Sequence, residues 1–408
     1  MGLQRGSSLL ALVLLLASIY GAAADKHIVN DTECGCFMTN ASNPTFFSKH
    51  RFYDFRSLTQ HVVDPPALLN DPAAAAAAPA TSSFFNTKPF ADDWAIMSWN
   101  NSASVGNQAT YLFVHSPSNI YIERNSDPGA SSSDTYLTMR TARLGGFQST
   151  AELQSMAANY RFVSVRMLAR TLGDPGACTA LFTYRGDEHV ERVQEADIEI
   201  LTKDPKTYIQ YTNQPSFTSD GNSVEGASLN VTAPVPWTEW AVHRLDWSPN
   251  QSTWFVNGVQ VAALGYQVPR DGSHVALNAW SNGGVWTGSM EVGKQAHMQI
   301  KWLEMVFNST SDYETGNSYS KLVRDTGTTT SLTGAAVKGL SSDGKRCKTV
   351  CSIDESDERG LAVVLSSSGS SPFRKTALQS GDGVESTVWI PLLMTLLAIA
   401  SSLPFVVV

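Results

Sequence analysis

The chain has 408 residues, 42% of them hydrophobic and only 16% charged, with a formal net charge of −8. That length affords a sizeable core in one large domain or two ordinary ones. The acidic balance, with no Lys/Arg-rich run, excludes nucleic acid as a partner, because phosphates need a basic footprint.

In chain order, residues 1–24 read as a signal peptide. Arg5 supplies the positive flank, Leu9 to Ile19 the apolar core, and Ala22, Ala23 and Ala24 a small-residue cleavage site. Six N-x-S/T sequons, at Asn30, Asn40, Asn100, Asn230, Asn250 and Asn308, agree with a secretory route. In that compartment disulfides persist. Cys34 and Cys36 near the mature N-terminus can therefore pair with Cys347 and Cys351 near the end of the folded region, tying its two ends together. A zinc site built from the same four residues is the alternative. Cys178, inside the apolar stretch GACTALFTY, is left as a buried free thiol.

Residues 64–82 (DPPALLNDPAAAAAAPATS) read as a loop or insertion. From about Phe84 to Phe307 short alternating segments are separated by Gly, Asn, Asp, Pro and Ser. Strands are expected at Thr110 to His115, Tyr136 to Arg143, Phe162 to Ala169, Ala180 to Tyr184, Tyr208 to Thr212, Ala241 to Trp247 and Met298 to Phe307. Many short strands at close spacing predict an all-β sandwich or barrel. In TWFVNGVQVA, Asn257-Gly258 between two alternating runs predicts a two-residue hairpin. The folded region is expected over 25–355, with its core at about 85–307. Residues 356–387 then read as a Ser/Gly-rich stalk. The terminal apolar run 388–408, preceded by small residues (Ser380 among them) and a polar spacer, reads as a glycolipid-anchor signal. A retained membrane span is the alternative there.

ERVQEADIEILT (191–202) carries Glu195, Asp197 and Glu199 at every second position, all on one face of a strand. Composition alone supplies such a triplet ~0.3 times in a chain of this kind. Its weight comes from Ala196, Ile198 and Ile200 on the opposite face, as in a strand half-buried on a core. The acidic face is then either plain solvated surface or the floor of a cleft. Glycoside hydrolysis needs two carboxyl groups flanking the bond, one ionised and one protonated, about 5–5.5 Å apart when configuration is retained. Residues i and i+4 of a strand are ~13 Å apart at Cα, so Glu195 and Glu199 must lean together. A charge on Asp197 between them is expected to hold the proton on Glu199.

E-A-D-I-E, followed by YIQYTNQ, resembles the E-x-D-x-E signature of glycoside hydrolase family 16. WTEWAVHRLDWSPNQSTWFVNG (237–258) and VALNAWSNGGVWTG (275–288) are similar to later segments of that family. CGCFMTNASNPTFFSKHRFYDFRSL looks like the leader of its fungal extracellular members. The resemblance implies a concanavalin A-like β-sandwich (jelly roll) of two curved antiparallel sheets with a concave sugar-binding cleft. It makes Glu195 the nucleophile, Glu199 the acid/base and Asp197 an assisting carboxylate. It also implies an endo-hydrolase of β-1,3- or mixed β-1,3/1,4-glucan in cell-wall remodelling. A transglycosylase on the same site and a non-catalytic carbohydrate-binding wall protein are the rivals. The chemistry needs no metal or other cofactor, although some members hold a structural calcium.

Sugar-binding candidates follow. Trp280 and Trp286 lie in WSNGGVW with Asn278, Ser281 and Asn282, polar groups suited to sugar hydroxyls. Trp99, with Trp94 behind it, is a further platform candidate. Tyr211, Asn213 and Gln214 follow the acidic strand and are expected to border the cleft. Trp240, Trp247 and Trp254 are assigned to packing, and His243 to a structural hydrogen bond.

Overall fold

The computed structural model describes residues 26–40, 44–106, 109–128, 133–311 and 347–367. The expected signal peptide, most of the stalk and the C-terminal tail lie outside the described residues. Four strands come from the N-terminal stretch: β1 (Ile28–Val29), β2 (Cys36–Met38), β3 (Phe46–Phe47) and β4 (Lys49–Asp54). The insertion at 64–82 is irregular apart from a single helical run, Pro72–Ala76, whose N-cap Asp71 accepts a hydrogen bond from the Ala74 amide. Next come β5 (Trp94–Ile96), β6 (Phe113–His115), β7 (Ile120–Arg124), β8 (Thr135–Arg143), β9 (Gln148–Ser155) and β10 (Tyr160–Gly173). The acidic segment is β12 (Gln194–Leu201), between β11 (Cys178–Arg185) and β13 (Tyr208–Gln214). The series runs on through β14 (Ser228–Thr232), β15 (Ala241–Ser248), β16 (Gln251–Val256), β17 (Val259–Leu264), β18 (His274–Trp280) and β19 (Gln295–Ser309). Two strands close it, β20 (Thr349–Ser352) and β21 (Ala362–Ser367).

These strands form the expected all-β jelly-roll sandwich. One sheet runs β14-β13-β12-β11-β18-β9, with β5 beside β9; the other runs β17-β16-β15-β10-β19-β8, with β7 beside β8. Strand β9 pairs with both β18 and β8 and joins the two sheets along one edge. Between them lies a core built by alternation. On β12 Ala196, Ile198 and Ile200 are buried, and on the facing sheet so are Val163, Val165 and Met167. Each large apolar side chain so buried stabilises the fold by roughly 1.5–3 kcal/mol. Asn257 and Gly258 both take positive φ (50° and 79°), the geometry a two-residue hairpin turn requires. Trp247 and Trp254 are fully buried, as expected, whereas Trp94 is also core, packed edge-on against Tyr53, and cannot serve as a platform. His243 is buried, but neither ring nitrogen meets a hydrogen-bond partner among the described residues. Its expected structural hydrogen bond is absent, and burial holds the ring neutral, its pKa lowered to about 4.

A separate five-stranded sheet (β1-β21-β20-β2-β3) is woven from both ends of the chain. Cys34 is bonded to Cys351 and Cys36 to Cys347, so the two clusters are disulfides and not a zinc site. The fold therefore extends to Ser367: residues 362–367, expected in the stalk, are strand β21, paired with β1 and β20. A buried ion network fastens this sheet to the sandwich. Asp354 accepts from Arg166 and Arg244, each at 3.0 Å, while Glu304 accepts from Arg166 at 2.7 Å and lies 3.0 Å from the His50 ring. Removing one member of such a network leaves buried charge uncompensated. Asp354→Ala is expected to lower unfolding stability by about 3 kcal/mol, read by urea denaturation.

Among the sequons, Asn30, Asn40, Asn100, Asn230 and Asn250 are exposed. Asn308 is buried, its side-chain amide donating to the Phe46 carbonyl and accepting from the Ser48 amide, each at 2.9 Å. That sequon is spent inside the fold.

Candidate active site

The register of the first sheet decides which side chains share its open face. Antiparallel neighbours directly opposite one another point to the same side. Glu199 stands opposite Ala180, Ala180 opposite Asn278, and Asn278 opposite Glu152. Asp197 stands opposite Phe182, which faces Ala276 and then Gln154. Glu195 stands opposite Tyr184, which faces His274. The two alanines leave a low floor between polar walls. Over it lies a cleft of about 390 Å³, lined by the three strand carboxyls together with Trp99, Phe113, His115, Glu152, Tyr184, Asn278 and Trp280. Its size suits one or two sugar rings.

All three carboxyl groups are pushed above their ordinary pKa. For Glu195 burial is the first cause and the charge on Glu199 the second. For Asp197, only 2% exposed, burial comes first and the charges on Glu195 and Glu199 follow. For Glu199 burial raises the pKa, and hydrogen bonds from Trp286 and Cys178 hold it down. Both Asp197 carboxyl oxygens are buried, and neither meets a hydrogen-bond partner among the described residues. An enclosed carboxyl without a partner is favoured in its uncharged form, the direction in which burial and then the charges on Glu195 and Glu199 push Asp197. The expectation that a charge on Asp197 holds the proton on Glu199 is corrected: burial is what raises the Glu199 pKa.

The sugar-binding candidates divide. Trp99 is 44% exposed beside the cleft, with its indole N–H on Glu152 Oε1 at 3.1 Å. Trp280 and Asn278 line the cleft, and the buried Asn278 side-chain oxygen has no partner among the described residues, leaving it for a ligand hydroxyl. Trp286, 40% exposed, donates to Glu199 Oε1 at 3.0 Å. Gln214 stands opposite Glu195 on the open face. Tyr211 and Asn213 do not border the cleft. They pair with Ile198 and Ala196, so alternation sends them to the core, where Tyr211 packs on Trp254 and Asn213 donates to the Tyr266 carbonyl. Asn282 lies in the loop after β18, where its backbone carbonyl accepts from Thr110 and Tyr111 and its side chain caps the Gly284 amide. It organises that loop and does not line the cleft.

Glu152 is the principal residue that sequence reasoning missed. It sits on β9 between Trp99 and His115, whose Nε2 is 3.4 Å away. Burial pushes its pKa up to about 7 and lowers that of His115 to about 3, so below neutral pH this contact joins two uncharged groups and is no ion pair. Glu152 and Gln154 alternate with Ala151 and Leu153, a short version of the signal that marks the acidic strand. Among the described residues no group of His, Cys, Asp and Glu is arranged to hold a metal ion.

Residues 109–304 match the family model described as glycosyl hydrolases family 16. A beta-glucanase of Paenibacillus polymyxa is 24% identical over 152 residues, covering 37% of this chain and 61% of that protein. A beta-glucanase of Bacillus amyloliquefaciens is 30% identical over 149 residues, covering 35% of this chain and 58% of that protein. The chain thus spans about three-fifths of the length of these relatives. Among solved structures, a β-1,3-1,4-glucanase (lichenase) from a mouse hindgut metagenome aligns over 64% of this chain and 99% of its own, with 18% identity and a TM-score of 0.42. The catalytic domain of an endo-1,3-β-glucanase (laminarinase) from Thermotoga petrophila aligns with the same coverage, 15% identity and a TM-score of 0.42.

Proposed function

We propose that this chain, whose residues 109–304 match glycosyl hydrolases family 16, is a retaining endo-hydrolase of β-1,3- or mixed β-1,3/1,4-glucan. The observation that carries the reading is the row Glu195, Asp197 and Glu199 on the open face of one strand, flanked by tryptophans over a floor of alanine. Apolar rings stack on the faces of sugar rings while Asn278 and Glu152 meet hydroxyls.

In this reading Glu195 attacks the anomeric carbon as the glycosidic C–O bond breaks, and Glu199 gives its proton to the departing oxygen. Asp197 stands between them as an assisting carboxyl, and entry of the sugar strips water from Glu199 and favours its protonated form. Glu199, now ionised, takes a proton from water, whose oxygen displaces Glu195 and restores both carboxyls. The beta-glucanase relatives support the glucan substrate. The chain is further read as an exported, lipid-anchored wall enzyme of a fungus. The two disulfides support the exported part, since such bonds persist in oxidising compartments.

One experiment tests the reaction. Reducing-sugar release from laminarin, lichenan, chitin and galactan is expected on the first two alone, with the β-anomer appearing first by proton NMR. Initial α-anomer would overturn retention, and binding of glucan without release would favour a non-catalytic wall protein.

A further inference from the structure

Glu199 is held asymmetrically. Its Oε1 accepts two hydrogen bonds, from Trp286 Nε1 at 3.0 Å and from Cys178 Sγ at 3.3 Å. The two donors have independent origins. Cys178 is the first residue of β11, fully buried and paired with Trp280. Its thiol stays protonated, since burial and then the Glu199 charge push its pKa well up, so it remains a donor at any working pH. Trp286 rides on the loop after β18, and that loop is pinned. Ser281 Oγ meets the Tyr111 hydroxyl at 3.0 Å and Thr287 Oγ1 at 3.1 Å, and Lys203 Nζ donates to the Val285 carbonyl at 2.6 Å. Gly283, at φ +70°, lies so close to the Tyr111 ring that a Cβ there would collide with it. The indole N–H is therefore aimed by the fold and is not merely resting on the carboxyl.

A carboxyl oxygen that already accepts two donors has its lone pairs engaged and cannot also carry the acid proton without displacing one of them. We infer that Cys178 and Trp286 act as a positioning pair: by donating jointly to Glu199 Oε1 they confine the transferable proton to Oε2, the oxygen left for the substrate. This inference rests on Glu199 being the acid/base. At the bond-breaking step the Oε2 proton moves to the glycosidic oxygen, which takes the C–O electron pair, while Oε1 keeps both donors and receives part of the new negative charge. The same two bonds then hold Glu199 ready as the base. The other acidic groups of the cleft are Glu195 and Asp197 on the same strand and Glu152 across β18, and burial holds His115 neutral. Among the described cleft residues, then, no cation shares this task.

The test compares Cys178→Ala, Cys178→Ser and Trp286→Phe in the full chain. Removing a donor destabilises ionised Glu199 and raises its pKa, so the basic limb of kcat/KM on lichenan is expected to move up by roughly half a pH unit. Activity at neutral pH should fall roughly tenfold, while an aryl β-glucoside oligomer with a dinitrophenol leaving group, which needs no proton, should lose little. Cys178→Ser restores a donor and should return the limb towards its original position. Basic limbs that superpose on that of the unaltered protein, or equal losses on both substrates, would overturn the inference. Trp286→Phe alters an exposed residue and keeps the test available if the buried cysteine variants fold poorly. Glu199→Gln separates the two levels: full activity there removes the acid/base reading itself, whereas an inactive Glu199→Gln with unshifted donor variants removes only the positioning pair.

Discussion

Glu195→Gln is expected to lower kcat/KM on β-glucan by on the order of 10⁴-fold or more while leaving the protein folded. The amide keeps the volume of the carboxyl but has no charged oxygen with which to displace the leaving group. Loss of the charge also removes the second cause of the raised Asp197 pKa. Asp197 should then ionise more readily, but as the shorter side chain, almost wholly enclosed at 2% exposure, it does not replace the nucleophile. A 2-deoxy-2-fluoro glycoside with a good leaving group offers a direct measurement, because it forms the covalent intermediate and breaks it down slowly. Mass-spectrometric peptide mapping should place the label on Glu195 in the unaltered protein and find none in the variant. A label on Glu199 or Asp197 would exchange the roles assigned here, and undiminished hydrolysis by Glu195→Gln would end the double-displacement reading.

Why the acidic strand could be read from sequence, and much of its surroundings could not, follows from the range of the interactions. Alternation is a local property, so Glu195, Asp197 and Glu199 opposite Ala196, Ile198 and Ile200 fix both faces of β12 without any partner being known. The Asn257-Gly258 turn is local in the same way. Glu152 is different. It joins the cleft only because β18 inserts between β11 and β9, bringing residue 278 beside residue 152, and no local pattern announces that strand order. On β13 alternation carries the decisive signal as well. Tyr211, Asn213 and Gln214 cannot all serve one face, and register gives the open side to Gln214 alone. The small terminal sheet pairs Ile28 with Val363, a contact legible only through the two cysteine clusters that lie just inside it in the sequence. Protonation was the least legible feature, since the raised pKa of Asp197 comes first from enclosure, a property of the assembled sheets and not of the strand.

That enclosure sets the second large effect. Glu199→Gln is expected to cost 10²- to 10⁴-fold in kcat/KM on glucan, roughly the usual worth of a positioned general acid. The loss should depend on the leaving group. A sugar alkoxide cannot depart from the anomeric carbon without a proton, whereas dinitrophenolate departs unaided, so formation of the glycosyl intermediate from an aryl substrate should survive the change. The second step should then become limiting, because the amide put in place of the Glu199 carboxylate would accept no proton from water. Stopped-flow release of dinitrophenol should show a burst equal to the enzyme concentration followed by slow turnover. Added azide, a nucleophile that needs no base, should speed that turnover and yield a glycosyl azide of retained β configuration. A glycosyl azide of α configuration would signal attack on a free Glu195 site and a different order of events. Equal losses on aryl and natural substrates, without a burst, would mean that Glu199 shapes the cleft and transfers no proton. The strand would then carry its three crowded carboxyls for binding alone.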